Sequence, residues 1–142
     1  MKATRIAIVM GLTLWLATIA LYLWPQSPPF ESFGTDTVTP DRAKVGESFV
    51  VSRNYRATRR EVWAITRTMV RGDCRKSCEF VELPAGALLV GEGTYVDVRR
   101  SYVVPANVTP GVWTLLFTVQ WDAAFWGTQK MPLPPLTITI DP

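Results

Sequence analysis

Cys74 and Cys78 are the only thiols in this chain of 142 residues, separated by Arg75, Lys76 and Ser77. Redox pairs ordinarily have two intervening residues rather than three. Two thiolates without neighbouring ligands do not complete a tetrahedral zinc shell. The pair is therefore read as a disulfide staple at a hairpin tip, the expected state outside a reducing compartment. A free or redox-active pair is the alternative. Closing so small a loop is worth about 2 kcal/mol by loop-closure entropy, so the bond shapes the loop more than it holds a fold.

A second chemistry lies in the basic run from Arg53 to Lys76, which holds Arg53, Arg56, Arg59, Arg60, Arg67, Arg71, Arg75 and Lys76 against Glu61 and Asp73. If this run folds as a hairpin, Arg56, Arg59 and Arg60 lie at one end and Arg71, Arg75 and Lys76 at the other. Either end then suits an acidic partner or serves as solvated surface. A third candidate is the pair Phe125 and Trp126 in the segment WDAAFWGTQKMPLPP, which offers an aromatic anchor for a protein partner or a lid over one end of the core. Arg71, Arg75, Lys76, Phe125 and Trp126 are thus the candidate partner contacts.

Catalysis finds no constellation. There is no histidine, which removes the commonest general base and metal ligand. The acids are scattered, and Gly91-Glu92-Gly93 is a turn signal without phosphate-loop spacing. Asn107-Val108-Thr109 matches a glycosylation acceptor, a triplet common by chance. No catalytic residue, metal site, cofactor or small-molecule substrate is expected, nor a nucleic-acid partner. Setting aside Lys2 and Arg5 leaves 13 of the 15 basic residues against 12 acidic ones, so global charge selects no partner.

The elements that must position these residues are strands. Phe49, Val51 and Tyr55 alternate with polar neighbours in 47–57, with Arg53 on the apolar parity. In 61–70 both parities are apolar, which predicts a central strand whose wetter face is marked by Arg67 and Thr68 or their neighbours, a choice parity alone does not decide. A short strand over 79–83 ends at Pro84. Val96, Val98, Tyr102 and Val104 share one parity in 94–105. Trp113, Leu115, Phe117, Val119 and Trp121 repeat at period two, and Leu136, Ile138 and Ile140 form a last alternating strand. With a short strand near 37–39, about seven strands result, at the spacing of a two-sheet sandwich.

Ahead of them the run from Ile6 to Trp24 has no charge, and its 19 residues make roughly 28 Å of helix, the thickness of a bilayer core. It predicts an uncleaved transmembrane anchor, with a removed signal peptide as the alternative. Lys2 and Arg5 precede it, which places the N-terminus in the cytoplasm. Tyr22 and Trp24 fall at the membrane interface. The expected organisation is a cytoplasmic tail (1–5), an anchor (6–24), a proline-rich stalk (25–34) and one domain (35–142).

The stretch VPANVTPGVWTLLFTVQW, a strand, a proline-glycine turn and a strand, resembles immunoglobulin-like or fibronectin-like domains of small membrane-anchored proteins of bacteria and phages. The resemblance implies an immunoglobulin-like two-sheet sandwich, mainly β, behind one N-terminal transmembrane helix. The expected protein is single-pass, with its domain outside the cytoplasm, periplasmic in a bacterium. Its expected role is a non-catalytic protein-interaction module contacting another envelope or membrane protein. The alternative is a structural or assembly component of a cell-envelope, secretion or phage-encoded complex whose helix also packs with partners.

Overall fold

The computed structural model describes residues 2–23, 27–123 and 127–142. Among the described residues the chain is mainly β, with one helix, α1 (Lys2–Leu23), and ten strands. These are β1 (Phe30–Ser32), β2 (Thr37–Thr39), β3 (Arg42–Lys44), β4 (Ser48–Ala57), β5 (Glu61–Asp73), β6 (Ser77–Val90), β7 (Gly93–Val103), β8 (Gly111–Ala123), β9 (Gly127–Pro132) and β10 (Leu136–Asp141).

The expected transmembrane anchor is overturned: among the described residues no helix is long and apolar enough to cross a membrane. With the anchor go the single-pass topology, the cytoplasmic N-terminus, the extracytoplasmic placement of the domain and the membrane as a partner. The side chain of Tyr22, and Trp24, read as interface residues, lie outside the described residues. The immunoglobulin-like sandwich of about seven strands is corrected in its strand count and in its helix. The proposed stalk also differs, because β1 falls within it, pairs with β4 from Phe30↔Ala57 to Ser32↔Tyr55, and buries Phe30.

In the first sheet β4 is central. It pairs with β7 along one side and with β1 and β2 on the other. The second sheet runs β3-β10-β8-β5-β6, with β9 paired to the far half of β8. All of these pairings are antiparallel except that of β10 with β3. Strands β6 and β7 are consecutive in the chain, and each forms an open edge of a different sheet.

The sheets pack face to face through their alternating apolar residues. Phe49 and Val51 of β4 meet Met69 of β5, Trp113, Leu115 and Phe117 of β8, and Ile138 and Ile140 of β10 in one cluster. Burying side chains of this size stabilises by about 1.5–3 kcal/mol each. The Trp113 indole is buried and its Nε1–H donates to the Thr109 carbonyl at 2.9 Å, which satisfies the one polar atom taken inside. A second cluster gathers Phe30, Ala57, Trp63, Val90, Val119 and Trp121 at the other end. Ile65 and Leu133 touch both clusters.

Two bulges interrupt the ladders, one on each open edge. Arg53 pairs with Val98 and Tyr55 with Tyr95, so Val96 and Asp97 of β7 together face Asn54. Ile65 pairs with Gly86 and Arg67 with Leu83, so Pro84 and Ala85 of β6 together face Thr66. An extra residue bends its strand and re-aims the side chains beyond it. Asp97 adopts a left-handed φ of 53°, held because its N–H donates to the Asn54 side-chain oxygen at 2.8 Å and its carboxylate accepts from the Ser52 hydroxyl.

Candidate binding cleft between the sheets

Between the two apolar clusters the sheets part along their open edges, leaving a cleft of about 590 Å³. The β7 side supplies Val98, Arg100 and Tyr102, the β6 side runs from Pro84 to Leu88, and Trp63, Ile65, Phe117 and Val119 form the base. Arg53 and Arg67 also line it, and each stands next to one of the bulges.

Both arginines occupy core parity. Arg53 continues the inward series Phe49, Val51, and Arg67 lies between Ile65 and Met69 on the face of β5 that meets the other sheet. Each guanidinium crosses to the opposite sheet: Arg53 sits 4.4 Å over the Phe117 ring and Arg67 5.4 Å over the Tyr102 ring. Such contacts hold a cation in apolar surroundings at about 0.5–2 kcal/mol each.

Their polar environments differ. Arg53 Nη1 is ion-paired with Asp36, whose side chain is only 4% exposed, and Asp36 also accepts the Asn54 N–H at 3.3 Å. Burial pulls the Arg53 guanidinium below its ordinary value while Asp36 opposes the shift. Arg67 Nη1 donates to the Pro84 carbonyl at the β6 bulge, and no carboxylate pairs with Arg67 among the described residues. Three N–H positions remain buried without a protein partner: Arg53 Nε and Nη2, and Arg67 Nε. The Trp63 indole N–H is a fourth. Gly86 makes room for this arrangement, because a Cβ there would lie 3.3 Å from Arg67 Nη2.

Tyr55 stacks on Tyr95 with ring centroids 4.9 Å apart and tilts against Trp63 at 5.4 Å, walling one end. Burial and then the neighbouring Tyr95 push the Tyr55 phenol above its ordinary value, with Arg100 opposing, so it is a neutral group at pH 7.

The cysteine pair and the described candidate partner contacts lie elsewhere. Cys74 and Cys78 are joined in a disulfide that closes the β5–β6 hairpin tip, with Cα atoms 4.6 Å apart. Arg71 is tied down, its Nη1 donating to the Thr109 hydroxyl at 2.7 Å and to the Pro110 carbonyl. Arg75 and Lys76 are exposed at the same tip. Phe125 and Trp126 lie outside the described residues; on either side of them β8 reaches Ala123, which pairs with Gly127 of β9. The basic run does not fold as one hairpin, because β4 and β5 belong to different sheets. Arg59 Nε pairs with Glu61 at 2.8 Å, Arg53 with Asp36, and Arg67 enters the cleft.

No protein-family model matches the chain, and no curated protein sequence matches it. Among solved structures, the sporulation control protein Spo0M of Bacillus subtilis is similar at 7% identity and TM-score 0.41, over 82% of this chain and 51% of that one. The alkylpurine DNA glycosylase AlkC of Pseudomonas fluorescens, bound to DNA containing an abasic site analogue, is similar at 12% identity and TM-score 0.44, over 80% and 31%. The β-glucosidase EmGH1 of Erythrobacter marinus is similar at 16% identity and TM-score 0.46, over 84% and 18%. The chain thus spans about half or less of these three proteins. They differ in function from one another, and likeness this distant bears on no function here.

Proposed function

We propose that the protein is a non-catalytic binding module whose ligand enters the cleft between the open edges of its two sheets. The observation that carries this reading is the cleft's lining: apolar and aromatic walls, a few polar groups that converge as donors, and no carboxylate, imidazole, thiol or amine among the lining residues. Such a lining holds a molecule and lacks the carboxylate, imidazole or amine on which proton transfer is most often built. The cleft's size falls within the roughly 300–1,000 Å³ of sites for single small ligands, and its concavity is unlike the flat area of a protein interface. This moves the expected interaction from a protein partner at the loop tips to a compact ligand between the sheets.

The test is a titration of the full chain with the neutral apolar dye N-phenyl-1-naphthylamine. Saturable fluorescence enhancement at one equivalent is expected, and Val98→Trp, which fills the mouth, should abolish it at unchanged melting temperature. Because α1 exposes apolar side chains such as Leu14 and Trp15, enhancement that survives Val98→Trp assigns the dye to another surface and refutes the cleft. Absence of enhancement in the unaltered chain refutes it as well.

A further inference from the structure

We infer that the ligand of this cleft is an amphipathic carboxylate, its acid group held by the Arg53 and Arg67 guanidinium groups and its apolar body against Trp63, Ile65 and Leu88. The inference rests on the cleft being the binding site and adds the chemistry of what it binds.

Charge comes first. Asp36 neutralises Arg53, whereas Arg67 and the exposed Arg100 at the rim have no carboxylate partner among the described residues. No acidic residue lines the cleft, so it carries uncompensated positive charge beside apolar walls. A partly buried cation without a counterion is costly, and a bound anion removes that cost.

Hydrogen bonding gives the same sign. Every buried side-chain polar atom left without a protein partner among the described lining residues is a donor: Arg53 Nε and Nη2, Arg67 Nε, and Trp63 Nε1. Nε and Nη2 occupy one edge of the planar guanidinium. With Nη1 already engaged by Asp36, Arg53 presents a two-pronged edge that matches the two coplanar oxygens of a carboxylate. An ammonium ligand satisfies none of these donors and meets like charge. The two bulges supply the geometric reason, since each bends an edge strand beside one of the arginines.

Isothermal titration of the full chain with dodecanoate, dodecanol and dodecylammonium, below their aggregation concentrations, tests this. Dodecanoate should bind at least about tenfold more tightly than dodecanol, the usual increment for hydrogen bonds to a charged group, and dodecylammonium more weakly than either. Arg67→Met retains the apolar stem and removes the cation. It should weaken dodecanoate about tenfold while leaving dodecanol within about twofold. Should that variant not fold, the ranking on the unaltered chain still decides. Dodecanol or dodecylammonium binding as tightly as dodecanoate, or a folded Arg67→Met unchanged toward dodecanoate, overturns the carboxylate assignment and leaves the cleft standing. Failure of all three ligands, or binding indifferent to Val98→Trp, overturns the cleft itself.

Discussion

Replacing Arg53 with Met is the sharpest probe of how the two sheets tolerate charge between them. The substitution keeps an apolar stem over Phe117 but leaves the Asp36 carboxylate, 4% exposed, with only the 3.3 Å Asn54 N–H for company. Removing one partner of a buried ion pair typically costs about 3–5 kcal/mol, because the remaining charge loses both water and its partner. The surviving hydrogen bond places the expected loss at the lower end, near 3 kcal/mol, and the lost cation–aromatic contact is part of that figure. At about 2.1 cal/mol/K of unfolding entropy per residue, 3 kcal/mol lowers the melting temperature of a domain of this size by roughly 10–12 °C. Urea unfolding followed by tryptophan fluorescence reads the loss directly. Asp36→Asn in the same background should recover much of it, since a neutral amide is far cheaper to leave half-satisfied than a carboxylate. An Arg53→Met chain within about 1 kcal/mol of the original, or an Asp36→Asn double variant no better than the single one, would show that the pair is not buried in the sense argued.

Other substitutions test separate parts of the fold. Replacing both cysteines by serine removes a cross-link closing a very short loop and should lower stability by about 2 kcal/mol, measured by urea unfolding with and without reductant. Gly72→Ala should destabilise by at least about 1 kcal/mol, because Gly72 has φ of +91° and a Cβ there would lie 3.0 Å from the Ser77 carbonyl; thermal melting measures it. The hydrogen bond from Arg42 holds the Asp141 carboxyl below its usual range, and those from Arg99 and Ser52 do the same for Asp97. A carboxyl lowered in the folded state adds stability that is present above its unfolded value, near 4, and is lost as pH falls through the folded value. Melting curves between pH 6 and pH 2 should therefore fall with acid, and less steeply for Asp141→Asn and Asp97→Asn.

The strands were legible where one face is wholly dry. Trp113, Leu115, Phe117, Val119 and Trp121 repeat at period two and all five are buried, because β8 lies in the middle of its sheet with its alternate residues against the core. Parity failed where a bulge intervenes. Val96 shares its parity with Val98 and Tyr102 in the sequence, yet it is 67% exposed, since the doubled Val96 and Asp97 opposite Asn54 shift the phase of β7. Pro84 looked like the end of a strand, but β6 continues to Val90: Pro84 sits in a bulge on an open edge, where a missing N–H costs no ladder bond.

The candidate site left one mark in the sequence, Arg53 standing on the apolar parity of its strand. Arg67 stood on the inward parity as well, but apolar residues on both faces of β5 hid which side was wet. That the two arginines line one cleft follows from the register of two different sheets, which no local pattern encodes. Hydropathy failed for a different reason at the N-terminus, where an uncharged run alone suggested a span.

Strand β10 has a consequence for how this protein comes together during synthesis. It lodges between β3 and β8, and its parallel ladder joins Thr139 to Arg42 across most of the molecule's length. Until β10 leaves the ribosome, β3 has nowhere to dock and the flank of β8 stays open beside Trp113. Contacts so far apart in sequence carry a large loop-closure penalty before any reward. Refolding is therefore expected on the millisecond-to-second scale of nonlocal β topologies rather than in microseconds, and nascent chains stalled before residue 136 should be the ones that chaperones hold.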